Sequence, residues 1–287
     1  MPSLILIVIL LALSSLAPAG DRAPENVGDR ECRFCHGLEA RQHANSDHGR
    51  LVSGRVGEAR SCEACHGPGS RHITVVGDPS YRGPMHIRSG ADMQRDPKPA
   101  CLACHENGSR LHWHVSAHAA SDLGCTSCHS IHEPDASPDC GGCHRRESAR
   151  MQRSSHMPVR EGSMQCEDCH DPHGGNGPAA LRAGSVNEVC HRCHADKRGP
   201  MLFEHLPVRE DCTLCHDPHG SNHRNMLTRR PPMLCQQCHM LGGHPSSLYD
   251  GAELANADIS QYGARNCLNC HSRIHGSNHP SGARLQR

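Results

Sequence analysis

His156-Met157-Pro158-Val159-Arg160-Glu161, then Cys166-Glu167-Asp168-Cys169-His170-Asp171-Pro172-His173-Gly174, decides how this chain is read. A near copy follows as His205-Leu206-Pro207-Val208-Arg209-Glu210 and Cys212-Thr213-Leu214-Cys215-His216-Asp217-Pro218-His219-Gly220. Each copy leads into a further Cys-x-x-Cys-His, at Cys190–His194 and Cys235–His239. The repeating unit is therefore a lead histidine, a motif, a follow histidine and a second motif.

The same motif accounts for every cysteine of the 287-residue chain. In order, the ten motifs are Cys32/Cys35/His36, Cys62/Cys65/His66, Cys101/Cys104/His105, Cys125/Cys128/His129 and Cys140/Cys143/His144, then Cys166/Cys169/His170, Cys190/Cys193/His194, Cys212/Cys215/His216, Cys235/Cys238/His239 and Cys267/Cys270/His271. Two cysteines three apart can form thioethers to the two vinyl carbons of one haem, and the next residue then lies under the iron as its proximal ligand. A zinc site or a redox disulfide needs no histidine at the fifth position, so ten out of ten speaks against both. Ten haem c groups are the expectation.

Composition agrees. One Trp, three Tyr and two Phe cannot build the core that a chain this long would normally need. Large, flat, apolar macrocycles would take their place. Fold class follows: an elongated multihaem cytochrome c, mostly irregular, with short helices wrapped around haems and very little strand. Pro and Gly, 20 and 28 residues, are spread throughout. Residues 20–287 are read as one haem-carrying domain of paired pseudo-repeats. Residues 1–19 read as a cleaved export signal, with an apolar run from Leu4 and small residues at Ala17 and Ala19. A membrane anchor is the alternative, but the run is short of the roughly 20 residues a spanning helix needs.

Looser copies extend the unit. His48 leads Cys62 and His72 follows; His118 leads Cys125 and His132 follows; His244 leads Cys267 and His275 follows. With His156, His173, His205 and His219, this gives ten distal ligands for ten irons. A follow histidine lies too close in sequence to its own proximal histidine to reach the opposite haem face. It is expected to ligate a neighbouring haem. His43, His86, His112, His114, His191, His223 and His279 are left over, with His112 and His279 the nearest substitutes. Methionine is an available alternative ligand that the histidine count does not require.

An iron held by two protein ligands has no open position for substrate, so an electron carrier and not a catalyst is expected, with the low potentials of bis-His coordination. Acidic and basic residues balance at 30 each, so haem propionates need partners, and Lys98 and Lys197 are the only lysines among the basic residues. Arginine forks suit that pairing. No basic excess or aromatic platform points to nucleic acid.

Cys190-His191-Arg192-Cys193-His194-Ala195-Asp196-Lys197-Arg198-Gly199-Pro200, Leu234-Cys235-Gln236-Gln237-Cys238-His239, and Cys267–His271 followed by Ile274-His275-Gly276-Ser277-Asn278-His279-Pro280-Ser281-Gly282 resemble the MtrA/DmsE family of decahaem cytochromes. The likeness is strong from about Leu111 to Arg287 and looser before it, where Cys62-Glu63-Ala64-Cys65-His66-Gly67-Pro68 also matches. The resemblance implies a periplasmic location at the outer membrane and an electron conduit through a β-barrel porin. Its partners would be an outer-surface multihaem cytochrome and a periplasmic or inner-membrane donor or acceptor cytochrome. A soluble periplasmic carrier feeding a terminal reductase, such as dimethyl sulfoxide reductase, is the alternative. A multihaem oxidoreductase with its own catalytic haem is a third reading.

Overall fold

The computed structural model describes residues 23–56, 61–75, 98–133, 138–239 and 266–286. The export-signal stretch, His86 and His244 lie outside them. The backbone forms two compact units, one reaching to Cys101 and including Ser130–Ala136, the other formed by Leu102–His129 and Ser137–Arg287.

In the first unit, α1 (Asp29–Cys35), α2 (Gly37–Asn45), α3 (Asp47–Val56) and α4 (Ser61–His66) pack against one another, and α5 (Ser70–Val75) follows. Two buried carboxylates tie them. Glu63 sits inside the Cys62 motif, and its side chain accepts from the N–H groups of Val27, Gly28 and Gly69 at 2.9, 2.9 and 2.8 Å. Asp29, at the start of α1, accepts from the Cys62 N–H at 2.9 Å. The ends of two motif helices are thus joined by polar bonds where there are few apolar side chains to join them.

The second unit is a succession of single helical turns and loops. Its only strand-like pairing among the described residues is four isolated bridges. Two of these, Ser155 with Ser221 and Phe203 with Ser277, join a lead segment to the residues just past the next unit's follow histidine. Close approach there requires glycine. Gly174, Gly220 and Gly276 have φ of 120°, 119° and 118°. A Cβ on Gly174 would lie 2.6 Å from the His112 carbonyl oxygen, one on Gly276 would lie 2.6 Å from Met201 Cγ, and one on Gly220 would overlap the Arg150 carbonyl. Asp217 reinforces the second of these junctions through ion pairs to Arg150 and Arg153.

The absence of a protein core is borne out in the described residues. Leu102, Trp113, Leu181 and Val189 are the buried apolar side chains, and none of the large residues is fully enclosed. No described helix is long and apolar enough to cross a membrane.

Candidate haem-binding site

Each motif is one helical turn. The histidine N–H donates to the carbonyl of the first cysteine, at 2.9 Å for His36 and His129, 2.8 Å for His144, and 3.0 Å for His170, His216 and His239. A turn of this pitch sets residues i, i+3 and i+4 on one face, which is what two thioethers and an axial ligand to one flat ring demand. The turn takes two forms. It is 3-10 at Cys125–Ser127, Cys166–Asp168, Cys212–Leu214 and Cys267–Asn269. It is α-helical at Cys140–Cys143, within α-helix Val186–His191, and within Met233–Gln236. In the units led by His118, His156 and His205 the first motif is therefore 3-10 and the second α-helical, whereas the Cys62 motif, first in the unit led by His48, lies in an α-helix. Asp211 and Asn266 cap two of the 3-10 turns, accepting from Thr213 N–H at 2.7 Å and Leu268 N–H at 3.0 Å.

The chain encloses its attachment cysteines only in part. The second cysteine of the motif is exposed at Cys35, Cys104, Cys128, Cys143, Cys193, Cys238 and Cys270, whereas Cys65, Cys169 and Cys215 are half-buried. Cys104 lies in the short helix Ala103–His105, and Cys270 closes the 3-10 turn Cys267–Asn269. Both are surface thiols of the polypeptide and not residues of an enclosed pocket, unlike most cofactor-holding side chains. The reason is geometric. A ring bonded through both sulfurs must lie outside the turn, and a single turn has no side chains of its own to cover that outer face.

The imidazoles then pair across space. His36 faces His72 with ring centroids 6.2 Å apart, and His66 faces His132 at 6.1 Å, both in the first unit. In the second, His129 faces His173, His170 faces His219, His216 faces His275, His144 faces His118, and His239 faces His205, all at 6.1 Å. Stacked rings in contact would sit closer. Two imidazoles bonded to one metal at about 2.0–2.1 Å each place their nitrogens about 4 Å apart and their centroids about 6 Å apart. The spacing is that of a slot for one iron, and the motif cysteines stand beside it. The residues present fit a haem.

The pairing follows a rule. Four follow histidines leave their own motif and reach back past one motif to the first motif of the preceding unit: His173 to His129, His219 to His170, His275 to His216, and His132 to His66. His72 reaches the lone motif at the start. A lead histidine serves the second motif of its own unit, as His118 does for His144 and His205 for His239. His156 is brought to no motif histidine. Its Nε2 is 3.1 Å from Glu161 Oε1 and its Nδ1 is 2.6 Å from the Arg153 carbonyl. Of the leftover residues, His43, His112, His114, His191, His223 and His279 face no motif histidine in this way; His279 Nδ1 accepts from Ser281.

Burial favours the neutral form, the one that can bind iron, at five of these rings. It pushes the pKa of His132, His173, His205, His219 and His275 down. Backbone carbonyls orient three of the motif rings, a role that spacing alone could not reveal. His170 Nδ1 lies 2.9 Å from the Ala179 carbonyl, His216 Nδ1 2.8 Å from that of Asn225, and His271 Nδ1 2.7 Å from that of Arg284. The loops deliver these oxygens through residues at positive φ, namely Ala179 and Ala180, Asn225 and Met226, and Leu285. The signal for them in the sequence was faint: two short, dissimilar segments at a fixed offset of nine residues from His170 and His216.

Successive motifs also meet through their sulfurs. Cys32 neighbours Cys62, Cys140 neighbours Cys166, Cys190 neighbours Cys212, and Cys235 neighbours Cys267 within hydrogen-bonding reach. Burial and the neighbouring thiol push Cys190 up to about 12. Cys169 lies beside Cys193 and Cys215 beside Cys238.

Motif turns, paired imidazoles and adjoining attachment points define a multihaem c-type cytochrome, a class of protein that transfers electrons. The doubled CXXCH motif matches at residues 156–199 and 205–242, the two units that the sequence set apart. A multihaem cytochrome MtrA from Shewanella baltica (strain OS185) is 39% identical over 285 residues, covering 93% of this chain and 83% of that protein. The chain belongs to the MtrA family of multihaem cytochromes.

Proposed function

We propose that the chain carries ten haems c, each clamped by histidine on both faces, and conducts electrons from haem to haem between the periplasm and the cell exterior. Bound haem supplies reversible one-electron chemistry at iron; the polypeptide attaches, spaces and insulates. The motif histidines His36, His66, His105, His129, His144, His170, His194, His216, His239 and His271 are the proximal ligands. His48, His72, His118, His132, His156, His173, His205, His219, His244 and His275 are the distal set. The observation that carries this reading is the 6.1–6.2 Å spacing repeated at seven motif histidines. His156 completes the set by releasing Glu161 and turning to His194, the place that His205 holds in the neighbouring copy.

Adjoining cysteines of consecutive motifs favour haem order along the chain within each unit, and arginine forks are suited to the propionates. An outer-membrane β-barrel porin as sheath, an outer-surface multihaem cytochrome and a periplasmic or inner-membrane redox partner complete the conduit, and membership of the MtrA family supports them. Mass spectrometry of the holoprotein with low-temperature electron paramagnetic resonance (EPR) tests the ligation: ten covalent haems, all low-spin, are expected, and fewer haems or a high-spin iron would overturn it. Liposomes loaded with reduced dye, carrying porin and cytochrome and exposed to external iron(III), test the conduit. Dye oxidation that needs both proteins supports it; oxidation only by cytochrome free in the dye's own compartment makes the protein a soluble carrier.

A further inference from the structure

We propose that the imidazole pairs His36/His72 and His205/His239 hold the most easily reduced irons among the described pairs, because their distal rings are the ones whose buried outer nitrogen has no acceptor. This rests on the bis-His reading above. An iron takes Nε2, so Nδ1 carries the proton and should donate it to an oxygen; that bond raises the ring's donor strength and favours the ferric state. The Nδ1 atoms of His72 and His205 are buried and make no hydrogen bond.

His118 supplies the internal control. It occupies the same lead position as His205 and pairs with a second motif in the same way, yet its Nδ1 lies 2.9 Å from the Pro172 carbonyl. Pro172 immediately precedes the next unit's follow histidine. The matching residue for His205 is Ile274, just before His275. Here the turn is one residue longer: His271-Ser272-Arg273-Ile274-His275 stands where the earlier unit has His170-Asp171-Pro172-His173. The Ile274 carbonyl acts on His205 but misses hydrogen-bond geometry. The inserted residue has taken the acceptor out of line. Elsewhere in that unit the irons at His170 and His216 keep a carbonyl on the proximal ring.

Among the described pairs, His36/His72 and His205/His239 therefore take electrons before the others as the fully oxidised protein is reduced. A redox titration of the holoprotein followed by optical spectroscopy and EPR tests this, with His205→Met, His72→Met and His118→Met as markers. A methionine ligand adds a far-red sulfur-to-iron band and raises the potential of the marked iron, so one wave disappears from its wild-type place. The His205→Met and His72→Met waves should vanish from higher potential than that of His118→Met. Outer-ligand effects of this kind are about tenfold in an equilibrium, or ~59 mV for one electron. Equal positions, or the reverse order, would overturn the inference. A marker that leaves its iron spectrum unchanged, with ten haems still attached, would instead overturn the bis-His pairing. Should a marker fail to load haem, the wild-type protein decides: the EPR component assigned to His118/His144 must persist to lower potential than those of His36/His72 and His205/His239, and its earlier loss would overturn the inference.

Discussion

At the pairs made by follow histidines in the second unit the imidazole planes are nearly parallel, 14° for His129/His173, 15° for His170/His219 and 17° for His216/His275. At His118/His144 they cross at 62°. Parallel ligand planes act together on the iron d orbitals and split them; crossed planes cancel. The EPR spectrum of the oxidised protein should therefore contain ordinary rhombic low-spin signals and a component with a much larger maximum g value. Replacing His118 should remove the large-g component and leave the rhombic set, whereas loss of a rhombic signal would refute the assignment. A second residue-scale expectation concerns Gly276. Its φ of 118° and the 2.6 Å approach of Met201 leave no room for a methyl group. Gly276→Ala should cost roughly 2–3 kcal/mol, read as a lowered Tm of the holoprotein, while the same change at Gly67, where a Cβ meets nothing, should cost less.

Single turns and short helices, not long elements, carry the attachment chemistry, and each depends on polar ties. The clearest is Glu63, whose carboxylate takes three backbone N–H groups within a nearly closed environment. Glu63→Gln turns an acceptor into a donor facing one of them, so the α1–α4 junction should lose roughly 2–4 kcal/mol. Hydrogen exchange should show α1 and α4 opening together, and unchanged protection there would refute the tie. The motif turns were legible from the residues, because one spacing admits one geometry. How far the chain covers each sulfur was not legible: Cys104 and Cys270 are exposed while Cys65 and Cys215, at the same place in the motif, are half-buried. The repeat marked lead and follow positions, and the histidines at seven of them face motif histidines. Which histidine faces which was not legible: a follow histidine lands a full unit back, as His219 does on His170, and chain direction through the loops decides that. His156 shows the limit, since the same lead position that sends His205 to His239 leaves His156 on Glu161. The loop carbonyls of Ala179, Asn225 and Arg284 were invisible because any residue supplies a carbonyl; only the backbone bend brings it to Nδ1.

Across the whole molecule, folding free energy must come from the cofactors. Among the described residues, burial of Leu102, Trp113, Leu181 and Val189 yields at most about 1.5–3 kcal/mol each. That cannot offset an ordering cost of roughly 1–2 kcal/mol for every residue fixed. The chain made in a host without haem attachment should therefore be unfolded, with a radius of gyration near 60 Å by the usual scaling for denatured chains of about this length. Small-angle scattering measures it, and a compact, cooperatively melting apoprotein would refute the claim. Trp113 gives an independent readout, being the one tryptophan in the chain and 6.2 Å from the His173 ring. In the holoprotein its fluorescence should be quenched by the adjacent haem. In the haem-free chain it should emit strongly at the wavelength of solvated indole. Removing only the attachment cysteines Cys125 and Cys128 should restore part of that emission while the remaining haems keep the rest of the chain folded. If Trp113 stays quenched without the haem that His129 and His173 would clamp, the tryptophan and that slot are not neighbours and the pairing rule fails at that unit.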